Sequence, residues 1–225
     1  HSREAFKILW EYDIDINNLK CPKSKTSPLE HNCSGKHAAF LATCKKMNWP
    51  LDSYLKGDHP LQIEIFRIVS ELLEIPSSEI NAERDDCGAP TLYLKLLEMS
   101  RLYSLLSSSE NAELEQISRA MTINPIMISD NNKFDTEIIK ASHGNVIGKG
   151  GAEGIQCLCK VNEGIGLALK VEDGSKRAKH AVSLHLLKQL EWISDLRIQD
   201  IEEKVFNFSE GVRLEVKGKV KFQES

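Results

Sequence analysis

Glycine is distributed unevenly along this chain, and that most limits what it can fold into. Residues 144–174, GNVIGKGGAEGIQCLCKVNEGIGLALKVEDG, hold eight of the 13 glycines. Each glycine inside a helix costs about 1 kcal/mol relative to alanine, so this stretch cannot be one long helix. Between the glycines, Ile155, Cys157 and Cys159 alternate with Gln156, Leu158 and Lys160. A second apolar run from Ile165 to Val171 follows the turn-like Asn162-Glu163-Gly164. Two such runs joined by a turn make an antiparallel hairpin or meander.

Most of the remaining chain has a helical period. Helices are expected over Arg3–Glu11 and within residues 31–47, where Asn32 and Ser34 are suitable caps and Ala38, Phe40, Leu41 and Cys44 follow at helical spacing. Asp58-His59-Pro60 predicts a helix start with an acidic cap, followed by Leu61, Ile65, Ile68, Leu72 and Leu73 on the core face. A short strand is expected in 79–86 and a turn at Cys87–Pro90. Thr91 is expected to cap a leucine-rich helix to Leu106, with further helices over 111–121, 133–141 and 176–194 and a last strand over Val212–Phe222. The sum is an α+β fold, an antiparallel sheet with helices packed on it plus a mostly helical region. At 225 residues the expectation is one domain, mostly helical over 31–143 and strand-rich over 144–225.

Charge and cysteine content narrow the function classes. There are 29 Lys and Arg against 33 Asp and Glu, a net charge of −4 without long blocks of one sign. That argues against a nucleic-acid or anionic-membrane surface. No apolar run approaches the roughly 20 residues needed to span a bilayer. The six cysteines with no export signal are expected to be reduced thiols in a cytoplasmic protein. The chain opens on His1 rather than Met, as expected of a processed or partial chain.

Several short motifs invite catalytic readings. Gly35-Lys36 and Gly148-Lys149 fail the phosphate-loop pattern twice each, because Glu30 and His143 stand where a glycine is needed, and His37 and Gly150 where Ser or Thr is needed. Ser53-Tyr54-Leu55-Lys56 matches Ser-x-x-Lys but falls in a connection, not at the start of a buried helix. Cys33, three before Lys36 at a helix start, and Cys87 in an Asp-Asp-Cys-Gly turn are either small core residues or a thiolate pair able to bind zinc, for which lysine is a poor ligand because it must first lose a proton. Lys149, flanked by Gly148, Gly150, Gly151 and Gly154, is either a solvated turn lysine or one whose backbone lets a ligand approach.

Taken together, Asn32-Cys33-Ser34-Gly35-Lys36-His37, Asp58-His59-Pro60 with Gln62, Asp85 to Cys87 with Pro90, Gly148-Lys149 with Gly151-Ala152-Glu153-Gly154, and Lys170 to Gly174 resemble one family. It is that of the L-asparaginases on a serine β-lactamase-like, glutaminase-like scaffold. The resemblance runs in order over almost the whole chain. It implies hydrolysis of L-asparagine to L-aspartate and ammonia, with a small-molecule substrate and no nucleic-acid or membrane partner; it is compatible with a homodimer. It further implies a zinc ion held by Cys33, Lys36 and Cys87, Lys149 as a catalytic lysine, and His37 and Asp85 beside the substrate. The family's nucleophilic Ser-x-x-Lys tandem and second serine would precede His1-Ser2, so the resemblance also implies that an N-terminal segment is missing from this chain. The alternative is an inactive remnant of the fold that serves as a structural or partner-binding module.

Overall fold

The computed structural model describes residues 1–22, 26–206 and 214–220, which divide into two compact units, residues 1–94 and 95–225. The first unit begins with α1 (Ser2–Glu11), which buries Ala5 and Leu9 four residues apart. Next comes α2 (Ser34–Lys46), burying Ala38, Leu41 and Cys44 and ending on Lys45 and Lys46, which suit the negative end of a helix dipole. α3 (Pro60–Leu73) starts at proline and stops where Glu74 adopts a left-handed conformation, φ 56°. A two-stranded hairpin closes the unit, β1 (Ala82–Arg84) antiparallel to β2 (Pro90–Leu92). Leu9, Leu41, Cys44, Tyr54, Leu61 and Ala89 share its core.

Several expected boundaries move. The cap of α2 is Cys33, not Asn32 or Ser34, and it makes no side-chain capping bond. Instead, the Cys33 amide donates to His31 Nδ1 at 3.1 Å. The cap of α3 is His59, not Asp58: its Nδ1 accepts from the Leu61 amide at 3.1 Å and its Nε2 donates to the Pro50 carbonyl at 3.0 Å. An imidazole that accepts at one nitrogen and donates at the other does the work assigned to the carboxylate. Ile68 is 43% exposed, so the apolar face of α3 is narrower than its spacing implied. Thr91 starts no helix, because it pairs with Glu83 in the hairpin ladder.

In the second unit, α4 (Leu96–Ser107) begins after Lys95, whose amide donates to Glu98 at 2.6 Å. Asn111 caps α5 (Ala112–Ile123) by accepting from the Leu114 amide. Pro125 opens the one-turn α6 (Pro125–Ser129), and α7 (Phe134–Ala141) follows with residues 134–139 all buried. The glycine-rich stretch is the expected meander, β3 (Val146–Gly150), β4 (Ile155–Lys160) and β5 (Ile165–Lys170), antiparallel in sequence order. α4 lies on β4 and β5, and α7 on β3. α8 (Lys176–Gln189), capped by Ser175, and α9 (Asp195–Val205) complete a core of Phe134, Ile138, Val146, Leu158, Leu184, Leu187 and Ile201. The expected α+β class is therefore observed, with helices packed on an antiparallel sheet. Residues 214–220 carry no regular structure, and the ends of the strand expected over 212–222 lie outside the described residues.

The spacing of α4 over the sheet depends on Gly166. A methyl group there would overlap the Ser100 carbonyl oxygen and the Ser104 amide, which are helix backbone and cannot give way. Gly166→Ala is expected to lower unfolding stability by about 3 kcal/mol, the upper range for overpacking. Gly35→Ala, with nothing within 4 Å of the new methyl, should be neutral or slightly stabilising. Urea denaturation of the two variants checks both outcomes.

Candidate active site

In the first unit, the start of α2 and the β1–β2 hairpin meet through charge. Lys36 Nζ donates to Asp85 Oδ2 at 2.9 Å, joining residues 49 apart in sequence. The other carboxylate oxygen, Oδ1, accepts from the Cys87 amide at 2.9 Å and the Ala89 amide at 3.1 Å. Gly88 supplies the left-handed corner, φ 81°, that folds this loop back onto the carboxylate. The Cys87 thiol is close enough to Asp85 and Lys36 for each to influence its ionisation. Lys36, Asp85 and Cys87 are thus brought together, with Cys33 one turn before Lys36 at the α2 cap.

Their protonation follows from those contacts. Burial opposes ionisation of Asp85, but the bonds from Cys87 and Lys36 outweigh it and hold the carboxyl well below the usual range. Burial likewise opposes the Lys36 ammonium, yet Asp85 and Cys87 together raise its pKa above the ordinary lysine value. Cys87 is pushed up to about 11, first by burial and then by the Asp85 carboxylate, so it rests as a thiol.

Beneath the charged group is a buried polar pair. His37 has no exposed surface, and its Nδ1 is 2.7 Å from the Tyr54 hydroxyl, which accepts from the Lys20 amide at 2.9 Å. Gln62 Nε2 donates to the Tyr54 carbonyl at 2.8 Å. His37 Nε2 is buried with no partner among the described residues. Burial, then the neighbouring Lys36 charge, lowers the His37 pKa to about 4. Tyr54 belongs to the Ser53–Lys56 string, where Lys56 is exposed and its amide donates to the Ser53 carbonyl in a simple turn. Tyr54 has no signal in hydropathy or spacing, since its hydroxyl reaches Lys20 and His37, 34 and 17 residues away.

The chemistry of Cys33, Lys36 and Cys87 suits zinc, which takes thiolate and nitrogen donors. Among the described residues no group of three His, Cys, Asp or Glu stands ready to hold a metal, so a metal here needs Lys36 as a donor. Lys36 would first have to give up its proton and its bond to Asp85, and Cys87 its thiol proton.

Lys149 belongs to the second unit, on β3 opposite Cys157. Its side chain is exposed and its Nζ donates to the Gly150 carbonyl at 2.6 Å. The strand end beneath it is pinned. Buried Asp135 of α7 accepts from the Gly150 amide at 2.9 Å and from Gln156 Nε2 at 2.8 Å. Buried Lys179 of α8 donates to the carbonyls of Gly151 and Ile155 at 3.1 and 3.0 Å. A side chain on Gly150 would come within 2.9 Å of that ammonium and displace it, whereas glycine leaves it in place. Gly154, φ 77°, packs on Val171 and Gly174, and Lys170 Nζ donates to the Glu153 carbonyl, which joins the Gly151–Gly154 and Lys170–Gly174 motifs. Neither Asp135 nor Lys179 stood out in the sequence.

The sequence pattern of the family described as L-asparaginase II matches residues 1–222 of the 225. The chain belongs to the L-asparaginase II family. A comparison with curated proteins found no match. As a member of the L-asparaginase II family the chain is of the asparaginase amidohydrolase type, and several of the motifs that carried the resemblance form the Lys36–Asp85–Cys87 group and the pinned loop after Lys149.

Asp85→Asn tests that group. A carboxyl whose folded pKa lies below its unfolded value of about 4 stabilises fully above that value, and the stabilisation is lost as pH falls through the folded pKa. The variant is expected to lose about 1–2 kcal/mol at neutral pH, with the partly exposed Lys36 pair supplying the smaller share. The gap from wild type should close in acid, as read by denaturation across pH.

Proposed function

We propose that this protein hydrolyses L-asparagine to L-aspartate and ammonia. Membership in the L-asparaginase II family is the observation that carries the reading. Amide hydrolysis needs an activated nucleophile, a proton for the leaving nitrogen and donors for the oxyanion. Lys149 is the residue of this chain assigned to the proton step, at Nζ, or to the substrate carboxylate. The Asp135 and Lys179 bonds hold its backbone still, which supports that assignment.

In this proposal Asp85 orients Lys36 and Cys87, and His37 supports α2 from the core. Zinc would be held by Cys33, Lys36 and Cys87, and when bound it would supply Lewis-acid or structural charge there. The cytoplasm is the proposed location, supported by six cysteines that are all free thiols.

Protein produced from the full reading frame and incubated with L-asparagine tests the reaction through released ammonia. The expected result is turnover that falls about 100-fold or more in Lys149→Ala, the usual loss for a general acid–base group. Absence of ammonia from well-folded, zinc-supplemented protein would overturn the proposal in favour of a non-catalytic member of the fold. Elemental analysis is expected to find one zinc per chain, lost in Cys33→Ser and Cys87→Ser. Metal content unchanged in both variants would remove zinc from this site.

A further inference from the structure

Six of the 29 cationic side chains in this acidic protein line a single open cavity of about 720 Å³ in the second unit: Lys133, Lys149, Lys176, Arg177, Lys179 and Lys204. Among the described residues Asp135 is the one carboxylate in the lining, and its two oxygens accept from Gly150 and Gln156. Lys204 is paired with Glu137 at 2.8 Å, and Lys179 with two carbonyls. Lys133, Lys176 and Arg177 are exposed and pair with no carboxylate among the described residues.

Such a grouping is unfavourable without an anion. Lys176 and Arg177 occupy the first turn of α8, which holds no acidic residue, so two positive charges sit at the positive end of the helix dipole. Burial, together with the charges of Lys176 and Lys149, lowers the pKa of Lys179. A local conflict of this kind marks a place shaped for something other than stability.

We propose that this cavity binds a small polyphosphate, its oxygens spread among Lys133, Lys176 and Arg177 at the α8 end and Lys149 across from them. A polyphosphate offers several negative oxygens to the cations of this lining. Arg177 presents a planar fork suited to two phosphate oxygens, and the lysines add point charges. The volume exceeds that of a single phosphate and falls in the range of small-molecule sites. The inference does not rest on the amide reaction, because it is read as binding without turnover.

Calorimetric titration of the whole chain with inorganic triphosphate at fixed ionic strength tests it. Saturable binding is expected, weakened about tenfold or more in the Lys176→Ala/Arg177→Ala double variant and unchanged in Lys7→Ala on the first unit. A parallel titration with a nucleoside triphosphate separates the sources: tighter binding assigns the nucleoside to the ligand, and equal binding assigns the phosphates alone. Heat-denaturation midpoints of the variants confirm that they are folded, since both altered residues are exposed. No saturable binding up to about 1 mM, equal affinity in the double variant, or binding of L-aspartate as tight as triphosphate would overturn the proposal.

Discussion

Everything about the first unit's polar site depends on one link, the Lys36–Asp85 pair. It joins the first turn of a helix to a hairpin loop from 49 residues further on. The pair itself is partly exposed, and pairs of this kind contribute about 0–1 kcal/mol. Its importance lies in what the same carboxylate does with its other oxygen, which gathers two backbone amides and so fixes the loop that carries Cys87. One carboxylate thereby holds an amine and a thiol side by side. Fully buried His37 and Tyr54 prevent the floor beneath from shifting.

The second unit solves a comparable problem with backbone. Lys149 sits at the end of a strand, where fraying would be expected. Asp135 and Lys179, one from each of two helices, bind the amide and carbonyls of the following turn, and Gly150 is the residue small enough to let them in. Two opposite charges buried together with their hydrogen bonds satisfied are tolerable, whereas either alone would be costly.

Much of the class was legible in the sequence. The alternation through Cys157 and Cys159, broken by glycines, pointed to an antiparallel hairpin or meander and is a meander, and the helical periods from Ser34 and Lys176 appear with ends displaced by a few residues. What misled was local chemistry with two uses. Thr91 is a good cap and also a good strand residue, and the cross-strand partner Glu83 decided for the strand. Asp58 is a good cap, but His59 offered both an acceptor and a donor one residue later. Cys33, Lys36, Asp85, Cys87 and Lys149 were singled out through motifs, whereas the roles of Tyr54, Asp135 and Lys179 were not. Their roles are long-range hydrogen bonds inside the fold, which leave no periodicity in the chain.

The most direct measurement of the central claim is a double-mutant cycle on unfolding free energy with Lys36→Met, Asp85→Leu and the pair combined. Residues in direct charged contact couple by about 0.5–3 kcal/mol. A favourable coupling of about 1 kcal/mol is expected at low ionic strength, shrinking as salt is added. Strict additivity of the two single effects would contradict the account, because helix and hairpin would then be held without this link.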